Sequence, residues 1–247
     1  MARSFSPADA KRVLERHRSI LEKLNGAEAY VEKYRESVKK ASEALVMQEV
    51  FKVLRDIPIE EINRDKKGFR VKALREHGYR TIADIAPASV YSIASVHGIS
   101  EDTAYSIKRM VVDIVAKTRQ GIKIRLSSDN RSQEATALVV ALSQYHRIQP
   151  VASECHRLLI SNKQRIDDAA EDLQAASGSL KWFFSPKAKK QKANDAFALL
   201  TALIDGEYGR SAETQIAVID AIERCQGGDA WQDFAENSVR FFNDLED

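Results

Sequence analysis

Apolar residues recur along most of this 247-residue chain at steps of three and four, the spacing that lines one face of an α-helix. Val13, Leu14, Ile20, Leu21 and Leu24 form the first run. It follows Ser6-Pro7-Ala8-Asp9, a capping Ser with Pro and an acid in the first turn. Asn25-Gly26 is expected to end that helix. Ala27, Val31, Tyr34, Val38, Ala41 and Leu45 then alternate steps of four and three, a heptad seam. Val46, Val50, Phe51 and Leu54 extend the run until Pro58 closes it. Two helices meeting at one Gly predict an antiparallel hairpin over residues 1–57, with a seam able to pack or self-associate.

The central runs are shorter. Residues 59–70 are rich in charge and read as a lead-in. A helix over 71–76 is expected to end at Gly78, and Tyr79, Ile82 and Ile85 mark the next short one. Val90, Ile93 and Val96 lead to His97-Gly98. Ser100 is placed to cap a helix with Glu101 and Asp102 in its first turn and Ala104, Ile107, Val111, Ile114 and Val115 on its inner face. Gly121 ends it, residues 122–126 read as an extended connector, and 127–130 as a linker. Helical periodicity then returns at 135–145, 150–176, 193–204 and 214–224, with a last helix after Gly227-Gly228-Asp229, a bundle of about five. The prediction is an all-α protein in three parts, 1–57, 58–126 and 127–247.

Composition supports this, with only 10 Gly and 5 Pro to interrupt helices. The net charge of +2 hides an uneven distribution. From Arg64 to Arg125 thirteen Lys/Arg stand against six Asp/Glu, a net of +7, whereas from Asp205 to Asp247 three Arg stand against eleven acids, a net of −8. A basic centre suits a polyanion, and an acidic end suits water or a basic partner. Cys155 and Cys225 fit neither a zinc motif nor a disulfide framework, which matches a reducing compartment. No apolar leader opens the sequence, and the longest apolar run, residues 137–142, is too short to span a bilayer. The expected location is the cytoplasm, with no membrane partner.

Two phrases in the basic centre carry the functional signal: Leu74-Arg75-Glu76-His77-Gly78-Tyr79 and Val96-His97-Gly98-Ile99-Ser100. Each places a Gly where a tight helix-to-helix reversal requires a positive φ, just before a helix start. The pair resembles a tandem helix-hairpin-helix. It is most similar to the small N-terminal domain of RecA-family recombinases of archaea and eukaryotes, through Gly78-Tyr79, Thr81-Ile82-Ala83-Asp84-Ile85 and the run Gly98-Ile99-Ser100-Glu101 to Ile107. Similar units occur in DNA ligases, repair nucleases and helicases. Ser100 departs from the pattern by standing at the second Gly position. The C-terminal half loosely resembles accessory regions fused to bacterial Swi/Snf-type helicases.

The resemblance implies backbone contact without sequence readout. A turn into a helix leaves N–H groups unpaired at the positive end of the dipole, where a phosphate oxygen can bind beside Lys or Arg. The candidates are Arg75, His77, Gly78 and Arg80 in the first hairpin, and His97, Gly98, Ser100, Lys108 and Arg109 in the second. A further candidate is the stretch 179–192, where Lys187, Lys189 and Lys190 follow Trp182, Phe183 and Phe184, an aromatic–basic mixture suited to single strands.

Catalytic patterns are missing. The chain has no GxxxxGK[ST], HExxH, GxSxG or dinucleotide fingerprint. His146, Cys155 and His156 lack a fourth ligand, the acids 167–168 and 171–172 read as a solvated helix face, and no cofactor is expected. The sequence reads as a non-catalytic, sequence-independent DNA-binding module, the accessory region or subunit of a DNA-processing machine, with a helicase or nuclease as partner and duplex or branched DNA as ligand. The alternative is a helical adaptor that binds protein through the heptad seam and the acidic bundle.

Overall fold

The computed structural model describes residues 5–176 and 185–243, and every regular element among them is helical. Helix α1 spans Pro7–Asp56, 50 residues without a break. This corrects the expected hairpin: the chain passes through Asn25-Gly26 as helix. A mid-helix Gly costs about 1 kcal/mol, but its neighbours Leu24 and Ala27 are buried at 1% and 0% exposure. Burying one Leu side chain is worth roughly 1.5–3 kcal/mol, so packing overrides the local break. Of the seam, Ala27, Tyr34 and Leu45 are buried within this chain, and Val31 packs against the same core as Ala27 and Tyr34.

Eight further α-helices are described: α2 (Val71–Glu76), α3 (Ile82–Ile85), α4 (Val90–Ala94), α5 (Glu101–Gly121), α6 (Gln133–Gln174), α7 (Lys187–Asp205), α8 (Glu207–Glu223) and α9 (Gly227–Asn243). Helix α6 runs through Pro150 where two helices were expected. Proline removes one hydrogen bond and crowds the preceding turn, yet Ile148, Val151 and Cys155 around it are all buried, and the face they share stays continuous. Residues 122–126 belong to no strand, as the connector reading requires.

The chain divides into two compact units. One comprises Met1–Val38 with Val139–Asp247, the other Lys39–Leu138. Both divisions fall inside helices α1 and α6, whereas boundaries at 57 and 126 fall outside helices. In the first unit Leu14, Ile20, Leu24 and Tyr34 of α1 share a core with Ile148, Val151, Leu158, Ile166 and Leu173 of α6, Leu200 and Ile204 of α7, and Tyr208, Ile219 and Ile222 of α8. Arg16 bridges to Asp205 at 2.8 Å and Glu213 at 3.0 Å, and Lys33 to Glu223 at 2.8 Å. Trp231, Phe234 and Phe241 of α9 are buried in edge-to-face contact, and the ring of His146 stands edge-on to Phe241.

The second unit holds the two Gly turns. Its core joins Val50 and Leu54 from the end of α1 to Leu74, Ile82, Ile85, Ile93, Val96, Ile99, Ala104, Ile107 and Val111. A 3-10 turn, Ile59–Asn63, adds Ile59 and Ile62, both fully buried. The supposed lead-in is thus part of the core. It is tied down where Ile59 N–H donates to Arg80 C=O at 3.0 Å and Ile82 N–H to Ile57 C=O at 2.9 Å.

Candidate nucleic-acid interface

Both turns take the conformation their glycines allow, with φ of 108° at Gly78 and 81° at Gly98. They differ in what their N–H groups do. In the first turn Gly78 N–H donates to Arg75 C=O and Tyr79 N–H to Leu74 C=O, each at 3.0 Å, which closes the end of α2 in a Schellman arrangement. The Gly78 N–H thus serves the helix before it. The start of α3 is also occupied. Asp84 Oδ2 accepts from the N–H groups of Arg80 at 2.9 Å and Thr81 at 2.8 Å, and from the Thr81 hydroxyl at 3.0 Å. This carboxylate takes up the N–H groups at the start of α3. Arg75 is paired with Glu60, His77 lies beside the Tyr79 ring, and the Arg80 side chain is exposed near the Asp84 charge.

The second turn is open. Ile99 N–H donates to Val96 C=O at 3.0 Å, while the N–H groups of Gly98 and Ser100 meet no protein acceptor among the described residues. The Ser100 hydroxyl caps α5 by accepting from Thr103 N–H at 3.2 Å, so the residue that departs from the expected glycine supplies a helix cap. His97, Gly98 and Ser100 are exposed. Glu101 and Asp102, exposed in the same first turn, place negative charge beside the open groups and oppose an anion there.

Sequence reasoning missed one residue here. The guanidinium of Arg70 lies on the Gly98 turn so closely that a Cβ at position 98 would overlap it, with Arg70 Cζ only 2.9 Å away. Arg70 is 28 positions from Gly98 in the sequence and stands outside both Gly phrases, so no local signal marks the contact. The absent side chain of Gly98 makes room for the Arg70 cation at the turn.

The two basic candidates on α5 separate. Lys108 Nζ donates to the carbonyls of Ala86 at 2.6 Å and Ala88 at 2.8 Å, which brackets Pro87 and closes the end of α3. Its ammonium is engaged in the fold. Arg109 is exposed, about 13 Å from Ser100 by helical rise. In the other unit Lys187 and Lys189 are exposed and Lys190 half-buried in the first turns of α7, while residues 179–184 of that basic–aromatic stretch lie outside the described residues.

Other candidate chemistry disperses. His146 is in the α9 aromatic cluster, Cys155 is in the core with its thiol pushed up to about 11 by burial, and His156 faces Glu28 at 3.4 Å. Among the described residues no three His, Cys, Asp or Glu side chains gather as a metal-binding group. No described helix is long and apolar enough to cross a membrane.

These features agree with the comparisons. The family model of the SAM-like helix-hairpin-helix tandem matches residues 69–109, the span from the eve of α2 to the middle of α5. No curated protein and no solved structure matches the chain. Within an all-α chain, residues 69–109 form a helix-hairpin-helix domain.

Proposed function

We propose that this chain is a non-catalytic module that grips the DNA backbone without reading sequence and serves as an accessory region or subunit of a DNA-processing machine with a helicase or nuclease as partner. The observation that carries it is the second turn, where Gly98 and Ser100 offer unused N–H groups at the start of a 21-residue helix and Arg70 fills the place of a Gly98 side chain. Phosphate contacts of this kind position a protein without specifying bases. The net of +7 between Arg64 and Arg125 supports a polyanionic ligand.

The test is binding of the full chain to duplex, single-stranded and branched DNA across a salt series. Affinity should fall linearly with salt on logarithmic axes, and Arg109→Glu should weaken every complex. Absence of binding to any DNA or RNA at low salt would sink the reading. A second reading, a protein-docking module, draws on Tyr91, Tyr105 and Val112, which are 85%, 58% and 53% exposed in the same unit. It predicts that Tyr105→Ala and Val112→Asp abolish partner capture and leave DNA binding unaltered.

A further inference from the structure

We propose that the loop of residues 64–70 is the second half of the phosphate-gripping surface, that it and the Gly98 turn hold one strand of duplex DNA, and that the first hairpin stands outside the interface. This rests on the DNA-binding reading above and narrows it to one side of the tandem.

The loop is built and held. Ile62 anchors it at 0% exposure on one side, and Phe69 packs against the same core on the other. Between them the Asn63 carboxamide oxygen accepts from Gly68 N–H at 3.0 Å and Phe69 N–H at 3.3 Å, and Lys66 N–H donates to Asn63 C=O at 2.9 Å. Lys66 is the only described non-glycine residue with a positive φ, 54°. The charges the loop carries are unequal in their engagements. Arg64 is answered by Glu61 at 3.0 Å, whereas Lys66, Lys67 and Arg70 are exposed and form no ion pair among the described residues. Arg70 sets the guanidinium fork, which fits two phosphate oxygens, in the space that a side chain at Gly98 would fill.

The first hairpin offers the reverse. Asp84 fills its helix start and Glu60 neutralises Arg75, so a phosphate would have to displace two carboxylates. Of the two turns, only the second combines undonated N–H groups with an unpaired cation. In the loop four Lys/Arg stand against Asp65, a net of +3, while Glu101 and Asp102 flank the Gly98 turn, so the charge that complements a DNA strand is concentrated along residues 64–70.

The decisive experiment is fluorescence anisotropy of the full chain with a labelled duplex across a salt series, with melting temperature measured for each variant. Each lost phosphate contact lowers the magnitude of the log–log salt slope by about 1 and affinity at low salt by roughly tenfold. Arg70→Gln should show one such step and Lys66→Gln with Lys67→Gln two. Arg75→Gln with Arg80→Gln should leave the slope unchanged, as should Lys11→Gln with Arg12→Gln, which removes equal charge elsewhere. If the Arg75 and Arg80 pair flattens the slope while the loop variants do not, the assignment to this loop is overturned and DNA binding itself stands. If the Lys11 and Arg12 pair flattens it as much as the loop variants, net charge explains the effect and the site is overturned. A parent chain that binds no duplex at low salt removes the underlying reading as well.

Discussion

Asp84 receives three hydrogen bonds, two of them from backbone N–H groups at the start of α3. Burial alone would raise its pKa, but the bonds from Thr81 and Arg80 hold it below the ordinary carboxylate value. A folded pKa lower than the unfolded one contributes stability at neutral pH that is lost as pH falls through the carboxylate range. Asp84→Ala should therefore cost about 0.5–2 kcal/mol in urea denaturation at pH 7, and the difference from the parent should shrink toward pH 3. His17 works in the same direction. It is 4% exposed, its Nε2 has no hydrogen-bond partner among the described residues, and burial lowers its pKa from 6.5 against the pull of Asp167. Below pH 6.5 the unfolded chain takes up a proton that the folded chain resists, so stability should decline with acidification; a His17→Leu variant should decline less between pH 6.5 and 5. Lys108 predicts a loss of a different kind. Lys108→Gln should lower the melting temperature, since two carbonyls lose a charged donor. At this scale the sequence revealed what is local. Gly98 and Ser100 were legible because a turn and a cap are written within four residues. The bonds of Lys108 were not legible because its carbonyl partners lie 20 and 22 positions away, and the approach of Arg70 to Gly98 was hidden for the same reason.

At the scale of elements, helix α1 is where local and tertiary preferences part. Gly26 is helical, and a Cβ there would meet nothing within 4 Å. Gly26→Ala should therefore stabilise the protein by roughly 0.5–1 kcal/mol, read as a higher urea midpoint at constant m. A lower midpoint would show that the helix bends at Gly26 in solution. The hydrophobic periodicity on both sides of Gly26 was visible in the sequence and supported helix correctly. The sequence did not show that one core buries both Leu24 and Ala27, and that core keeps the helix whole. Pro150 misled in the same way. The α5 start, by contrast, was placed correctly because Ser100, Glu101 and Asp102 form a start signal that needs no distant partner.

For the whole molecule, the compact units are not the stretches that sequence punctuation separates. The tandem's core includes Val50 and Leu54 of α1, both fully buried, so a fragment of residues 39–138 should melt cooperatively by circular dichroism. A fragment of residues 58–126 lacks those two side chains, and losing them costs several kcal/mol. It should melt without a cooperative transition, and a sharp transition would show that the end of α1 is dispensable. Linkers and breakers could not reveal this, because the divisions between units fall inside helices. The unit of Lys39–Leu138 is nested in the sequence of the other unit. During synthesis this arrangement fixes an order. All residues of the tandem's unit leave the ribosome before α6 residues such as Ile148 and Leu158 do, and only then can those meet the apolar face of α1. The helix-hairpin-helix domain can thus close while the face of Leu14, Ile20 and Leu24 is still bare. The ribosome therefore completes the part of the protein proposed to hold DNA before the bundle whose first strand of sequence it made earlier.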